Sequence, residues 1–368
     1  MTTQLHGILF AYRDNPHLRE LTSHRTVASI PFGGRYRMID FLLSSMVNAG
    51  IVDIGVVMQE KCQSLLDHLG SGKDWDLARK RGGLRVLPPF TNKGGTFRGK
   101  MEALYGVYSY LEDIKQDYVV MADGDLACNI DLEAVFAQHI ASGADITAVC
   151  SPRHSGDPKL STYFKQDESG RIVEVIDCPN SAEGFESLKV YILSTKKLIE
   201  LVDYCASHNL YSFTTAVLIA MKEKLHIQAY NYEGYVARLT TVASYYSRSM
   251  ELLNEEVGTD IFNIEHPIRT KDRSDPSTYY APGSKSVHSL VADGCIIEGT
   301  VEDCVIFRGV KVGKGAVVKN CVLMQDTVVE EGANIRYVIA DKDVTIKAHR
   351  NLAGHASYPL AIDKGCII

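Results

Sequence analysis

The sequence predicts an α/β domain followed by a β-helix of hexapeptide repeats. Three observations carry this expectation. The 368-residue chain is too long for one ordinary domain and suits two. Its first two-thirds alternates short apolar runs with longer amphipathic stretches. Beyond residue 286, apolar residues return at every sixth position.

In the first region, apolar runs place strands at 6–11, 53–59, 117–122, 145–150, 171–177 and 189–193. Amphipathic spacing places helices at 38–49, 101–111, 131–142, 195–208 and 241–253. Strands alternating with helices of this length predict a mainly parallel sheet covered on both faces. Ligands in such folds sit beyond the carboxyl ends of the strands. Residues 266–286 are polar, carry Pro276 and Pro282 and have no period, so they read as a linker. After them come two apolar columns: Cys304, Val310, Ala316, Val322, Val328, and Ile306, Val312, Val318, Met324. Glycines at 294, 299, 309, 313, 315 and 332 punctuate the turns. A rung of a β-helix cannot bury its inner face alone, so rungs stack. A sandwich of short strands is the alternative, but its strands return every 8–12 residues or so, which fits this region worse. The expected division is therefore an α/β domain at 1–265, a linker at 266–286 and a β-helix at 287–368.

Composition bounds the function. Apolar residues make up 45% of the chain and charged residues 23%, as in soluble globular proteins. A net charge of −6 argues against bulk nucleic-acid binding. No apolar run is long enough to span a bilayer. The start, MTTQLHGILFAYRDN, lacks the basic region, apolar core and cleavage site of a signal peptide, so a cytoplasmic location is expected. The nine cysteines form no CxxC pair, and the histidines complete no zinc-finger spacing. They are expected to be free thiols in a reducing compartment, most of them buried.

Several long blocks carry a family resemblance. Residues 30–51, IPFGGRYRMIDFLLSSMVNAGI, and 69–89, LGSGKDWDLARKRGGLRVLPP, resemble bacterial ADP-glucose pyrophosphorylases, the glucose-1-phosphate adenylyltransferase family. HPIRT at 266–270 and SLVADGCIIEG at 289–299 resemble the family's entry into its C-terminal domain. The resemblance runs over essentially the whole chain. It implies a Rossmann-like nucleotidyltransferase domain and a left-handed parallel β-helix. The implied reaction makes ADP-glucose and pyrophosphate from ATP and glucose 1-phosphate in glycogen synthesis. Such a transfer depends on positioning and charge neutralisation.

The resemblance sets three demands on this chain. The family's Gly-Gly-x-Gly-x-Arg-Leu loop lets backbone N–H groups approach the triphosphate, because glycine leaves room. Here FAYRDNPHLRELT puts Tyr12, Arg13 and Asn15 on the glycine positions and His17 on the arginine. Two family lysines that compensate phosphate charge fall on Val27 of RTVAS and Cys178 of IDCP. Two carboxylates are needed for Mg²⁺. The first survives in DGDL as Gly124 and Asp125; the second falls on Arg238 of Arg238-Leu239-Thr240-Thr241. In FRGKMEAL, Arg98 and Gly99 match the family while Lys100 and Met101 replace its small polar residues. SFTTAV at 212–217 replaces a segment carrying two acids.

Together these departures remove phosphate cradle, cations and second metal ligand, while the scaffold blocks stay readable. The chain thus resembles the family's non-catalytic D-type subunits. The resemblance implies a catalytic partner subunit in a heterotetramer, no cofactor on this chain, and Mg²⁺ in the partner. A homo-oligomer and a sugar-phosphate effector are further expected partners. Arg25, Arg35 and Arg37 are candidate effector contacts, as is the run Arg79-Lys80-Arg81, with a solvated basic surface as the competing reading. Alternatives are an active nucleotidyltransferase with a rearranged site and a stand-alone sugar-phosphate or nucleotide binding protein. An acyltransferase using His349 or His355 is disfavoured by the short terminal β-helix.

Overall fold

The computed structural model describes residues 4–88, 97–155 and 157–368. Pro89, the last residue of the 69–89 block, lies outside them. The chain forms two compact units. The first contains Met1–Arg13, Ile39–Ala237 and Asn263–Arg269. The second contains Asp14–Met38, Arg238–Phe262 and Thr270–Ile368.

The first unit is a nine-stranded mixed sheet with helices. Its strands are β1 (Leu5–Phe10), β2 (Asp53–Val57), β3 (Gly83–Leu87), β4 (Tyr118–Asp123), β5 (Ile146–Ser151), β6 (Thr162–Gln166), β7 (Ile172–Asp177), β8 (Phe185–Ser194) and β9 (Ile227–Asn231). The order is β7-β6-β8-β4-β1-β2-β3, with β5 beside β8 and β9 beside β5. β3, β2, β1 and β4 run parallel. β8 runs antiparallel to β4, β5 and β6, which corrects the expectation of a mainly parallel sheet. β1 is buried along its whole length, as a central parallel strand must be. Asp123 pairs with Phe10 in the β1–β4 ladder, so both strands end at one carboxyl edge.

The helices follow the predicted apolar spacing, with local exceptions. α1 (Met38–Asn48), α3 (Leu132–Ser142) and α4 (Thr195–Ser207) lie where the periodicity puts them. The Asp131 carboxylate caps α3 by accepting from the N–H groups of Glu133 and Ala134. The single helix expected at 101–111 is interrupted. α2 (Lys100–Gly106) stops at Val107, which has φ −118° and ψ 30°, and a second short helix covers Tyr108–Glu112. Gly106 at that point weakens helical continuity.

The second unit is a left-handed parallel β-helix together with two segments from earlier in the chain. Three five-stranded parallel sheets form its sides. Its first strand is Tyr279–Tyr280, inside the expected linker. Residues 14–38 and 238–262 also belong to it, so the expected boundaries at 265 and 287 are corrected on both counts. Periodicity missed this because those segments fold as ordinary turns and two helices, α5 (Val242–Glu251) and a short one at Glu255–Ile261. Tyr246 on α5 donates to the Asn320 carbonyl at 3.0 Å, and Tyr245 donates to the Pro31 carbonyl at 2.9 Å.

The six-residue columns hold for two sides and then slip. Cys304, Val310 and Ala316 face the core, but the next inward residue is Cys321, followed by Ala333, Val338 and Val344. Val322 and Met324, predicted inward, lie outside that core cluster although fully buried. The slip arises because one side in three is a residue shorter, closing on Asp303, Asn320 and Tyr337 at φ 53°, 51° and 53°. Stacked registers such as Lys311↔Val328↔Thr345 preserve it from coil to coil. Six cysteines are buried: Cys128, Cys150, Cys205, Cys295, Cys304 and Cys321; none of the nine is in a disulfide. No described helix is long and apolar enough to cross a membrane.

Candidate functional site

In the first unit, the loop after β1 carries Tyr12 and Arg13 over the carboxyl edge of the sheet. Tyr12 packs edge-to-face on Phe97, ring centroids 5.5 Å apart, and on Phe10 at 6.1 Å. Burial, with nearby Asp123, pushes its hydroxyl pKa well up, so it stays a neutral phenol. A ring therefore fills the space where a glycine would leave backbone exposed to phosphate.

Arg13 turns onto the loop after β4. Its Nη1 donates to Asp125 Oδ2 at 2.9 Å, with Asp125 buried and the guanidinium partly exposed. The Asp125 carboxylate raises the Arg13 pKa further, more than its burial lowers it. The Gly124 N–H donates to the Phe10 carbonyl at 2.9 Å, which fixes this turn against β1.

Asp123, at the end of β4, has its own cation. Lys100 Nζ lies 2.8 Å from Asp123 Oδ1. The same ammonium stands 5.3 Å from the Phe10 ring centroid and 5.2 Å from that of Tyr191. Lys100 is the first residue of α2, and Gly99 before it is packed so closely that an added Cβ would strike the Tyr211 carbonyl. Arg98 stacks on the Tyr211 ring at 3.4 Å, and its Nη2 donates to Glu102 at 2.7 Å.

A further lysine comes from β8. Its ladder with β5 slips between Ser187 and Val190, and Lys189 in that bulge has φ 57°. Lys189 lines a cavity of about 230 Å³ with Arg13, Arg98, Lys100, Asp123 and Tyr12. Sequence reasoning missed Lys189, Asp123 and the pairing role of Lys100. Nothing in a run of residues reveals a bulge or which carboxylate a lysine will meet.

The remaining sequence candidates fall elsewhere. Cys178 is exposed at φ 52°, and its thiol pKa is raised by partial burial and by Asp177. In the second unit, Asn15 caps the turn at Pro16–Thr22 by accepting from the His17 N–H and donates to the Thr240 carbonyl at 2.9 Å. His17 lines a different, larger cavity of about 690 Å³ with Arg19 and Tyr358. Val27 and Arg238 are both buried.

The effector candidates are corrected in part. Arg25 is 2% exposed and forks onto Asp341, Nη1 to Oδ1 at 2.9 Å and Nη2 to Oδ2 at 2.8 Å. It is an internal ion pair with no face for a ligand. Arg35 is half-buried against Asp293 at 2.8 Å, and Arg37 donates to Ser29 Oγ at 2.6 Å. Asp341 and Asp293, each more than two hundred residues away in sequence, took up Arg25 and Arg35, which no spacing rule foresees, while Arg37 found Ser29 eight residues before it.

The carboxylates do not fit a divalent metal as they stand. Mg²⁺ takes hard oxygen ligands in near-octahedral geometry. Asp125 and Asp123 each hold a protein cation instead. Among the described residues, no group of three or more His, Cys, Asp and Glu side chains gathers as a metal site. The arrangement can hold an anion on guanidinium and ammonium groups, but it presents no open carboxylate pair for metal-assisted phosphoryl transfer.

Comparison with known proteins agrees with the fold. The nucleotidyl transferase family model matches residues 16–251, and the GlmU-like C-terminal hexapeptide model matches 280–355. The chain is 36% identical over 365 residues to glycogen biosynthesis protein GlgD of Bacillus subtilis (strain 168), covering 99% of this chain and 97% of that protein. It is 36% identical over 325 residues to GlgD of Geobacillus stearothermophilus, covering 86% and 84%. It is also similar to glucose-1-phosphate adenylyltransferase of Geobacillus stearothermophilus, at 34% over 319 residues, covering 85% and 82%.

Proposed function

We propose a function from one premise: this chain belongs to the nucleotidyl transferase family. It is a non-catalytic, regulatory subunit of glucose-1-phosphate adenylyltransferase in glycogen biosynthesis. It assembles with the catalytic subunit into a heterotetramer in the cytoplasm and modulates that subunit's turnover. The chain carries no cofactor, and the Mg²⁺ of the reaction belongs to the catalytic subunit.

One observation carries the reading. Arg13 and Lys100 sit on Asp125 and Asp123, the carboxylates at the end of β4. Phosphoryl transfer in this family's chemistry needs a metal on such carboxylates and cations on the phosphates. The names of the relatives support a place in glycogen biosynthesis. A silent subunit acts through its interface, by binding one conformation of its partner better than another.

The test is kinetic. Purified chain with ATP, glucose 1-phosphate and Mg²⁺ is expected to form no ADP-glucose. Coexpressed with a catalytic homologue, it is expected to co-purify as a mixed tetramer by mass and to change the partner's kcat or effector response. Robust ADP-glucose formation by the chain alone overturns the reading, as does failure to associate.

A further inference from the structure

We propose that the groove between the turn Pro16–Thr22, the start of α5 and the last coil of the β-helix binds a small zwitterion, an α-amino acid with an apolar side chain. All of its lining residues belong to the second unit, and the subunit reading does not depend on it.

The cavity measures about 690 Å³, within the ~300–1,000 Å³ of pockets that enclose small molecules. Much of its wall is apolar, with Pro16, Val242, Ala353 and Leu360 contributing. Opposite charges are set into that wall. Arg19 supplies a guanidinium whose Nη1 donates to the Tyr358 hydroxyl at 3.2 Å. Among the described residues no carboxylate pairs with it, so most of its five donors stay available. His17 adds an imidazole to the same wall. Val242 and Ala243 open α5, where backbone N–H groups have no acceptor within the helix.

Glu20 supplies the negative charge. Its Oε2 is buried and has no hydrogen-bond partner. The two charges are near each other without pairing. The pKa of Arg19 is raised first by its bond to Tyr358 and more weakly by Glu20. The turn that carries both is braced. Thr22 Oγ1 donates to the Asn15 carbonyl at 3.1 Å, and Ser23 Oγ donates to the Glu20 carbonyl at 2.8 Å. Between these bonds Arg19 holds φ 44° and ψ −115°, a backbone that costs a non-glycine residue. Paired backbone bonds between His355 and Tyr358, at 3.1 and 2.9 Å, fix the opposite wall.

A buried carboxylate oxygen without a donor costs free energy, and a ligand ammonium there removes the cost. The ligand carboxylate then meets Arg19, His17 and the first turn of α5 through charge-assisted hydrogen bonds. The rest of the wall buries an apolar body. Glu20 also sets what is excluded. A phosphate monoester or a dicarboxylate brings only negative charge against it.

The experiment is calorimetric titration of the full chain with four probes. They are L-phenylalanine, 3-phenylpropanoate (no ammonium), 2-phenylethylamine (no carboxylate) and inorganic phosphate. L-Phenylalanine is expected to bind, and each half-molecule to bind about tenfold or more weakly. Glu20→Gln is expected to weaken L-phenylalanine about tenfold and to leave 3-phenylpropanoate no weaker. Arg19→Met is expected to weaken both. Lys314→Ala, on an exposed turn of the β-helix, is expected to change neither. Circular dichroism checks the folding of each variant, and the probe series on the parent chain decides the matter if one fails to fold. Three results each overturn the proposal: no binding of L-phenylalanine, binding of 3-phenylpropanoate or phosphate as tight as that of L-phenylalanine, or folded Glu20→Gln and Arg19→Met variants that bind like the parent. ADP-glucose formation and co-purification test the subunit reading separately, so either can fail while the other stands.

Discussion

Arg13 closes on Asp125, with Nη1 at 2.9 Å from Oδ2, across 112 residues of sequence. The pair joins a position where the family resemblance implies glycine to the one carboxylate that the resemblance carries over intact. Arg13→Ala leaves a buried carboxylate without its cation. Losing one partner of a fully buried pair costs about 3–5 kcal/mol, but this guanidinium is over a third exposed and solvent screens it. A loss of about 1–2 kcal/mol is expected, measured as a lower urea midpoint at unchanged slope.

Restoring one acid does not restore chemistry. Arg238→Asp alone is expected to give no ADP-glucose above background, because Arg13 and Lys100 still hold Asp125 and Asp123 and Tyr12 still fills the loop. A discontinuous pyrophosphate assay on the purified variant checks this. Substantial turnover there contradicts the account of the loop.

Arg25 and Asp341 form the buried ion pair of the second unit, 3% and 0% exposed at the side chains. Arg25→Ala is expected to cost about 3–5 kcal/mol, since it strands a desolvated carboxylate. Replacing both partners with apolar residues, Arg25→Met with Asp341→Leu, is expected to recover most of that loss. Chemical denaturation of the single and double variants separates the two outcomes.

Lys342 sits beside this pair. Burial first, and then the nearby Arg37 and Arg25 against the opposing pull of Asp341, lower its pKa to about 7. Below about pH 7 the ammonium is charged in folded and unfolded chains alike. Between about 7 and the ordinary 10.5 only the unfolded chain holds the proton, so this residue makes stability rise with pH. Lys342→Met is expected to remove that rise and to stabilise the protein at pH 7 by about 1–3 kcal/mol. Denaturation curves of parent and variant from pH 6 to 9 read it directly.

Asn320 turns the short corner of the β-helix at φ 51°. Asn320→Gly is expected to be nearly neutral, whereas Asn320→Val is expected to cost about 1–2 kcal/mol from the left-handed backbone. Thermal melts of the two variants distinguish backbone strain from a side-chain contact.

The sequence by itself determined the two architectures, because burial imposes a period that any chain must display. The apolar runs at β1, β2, β4 and β5 and the six-residue return of the β-helix follow from which faces are buried. It also determined what the loop after β1 lacks, since a glycine cannot be supplied from elsewhere. It did not show β3, β6 or β9, which are five residues each and only partly apolar. Nor did it show the one-residue slip at Asp303, Asn320 and Tyr337, where short polar or aromatic corners interrupt the period.

Only the tertiary structure decided where the charges go. Arg25 was a surface candidate until Asp341 came beside it, 316 residues away. Lys100 and Lys189 became parts of one cavity because Phe10 pairs with Asp123 and because β8 bulges at Lys189. Ion pairs act over a few ångströms, and strand register sets distances on that scale. Residue spacing fixes neither, so the meeting of Arg13 with Asp125 and of Lys100 with Asp123 had to wait for the fold.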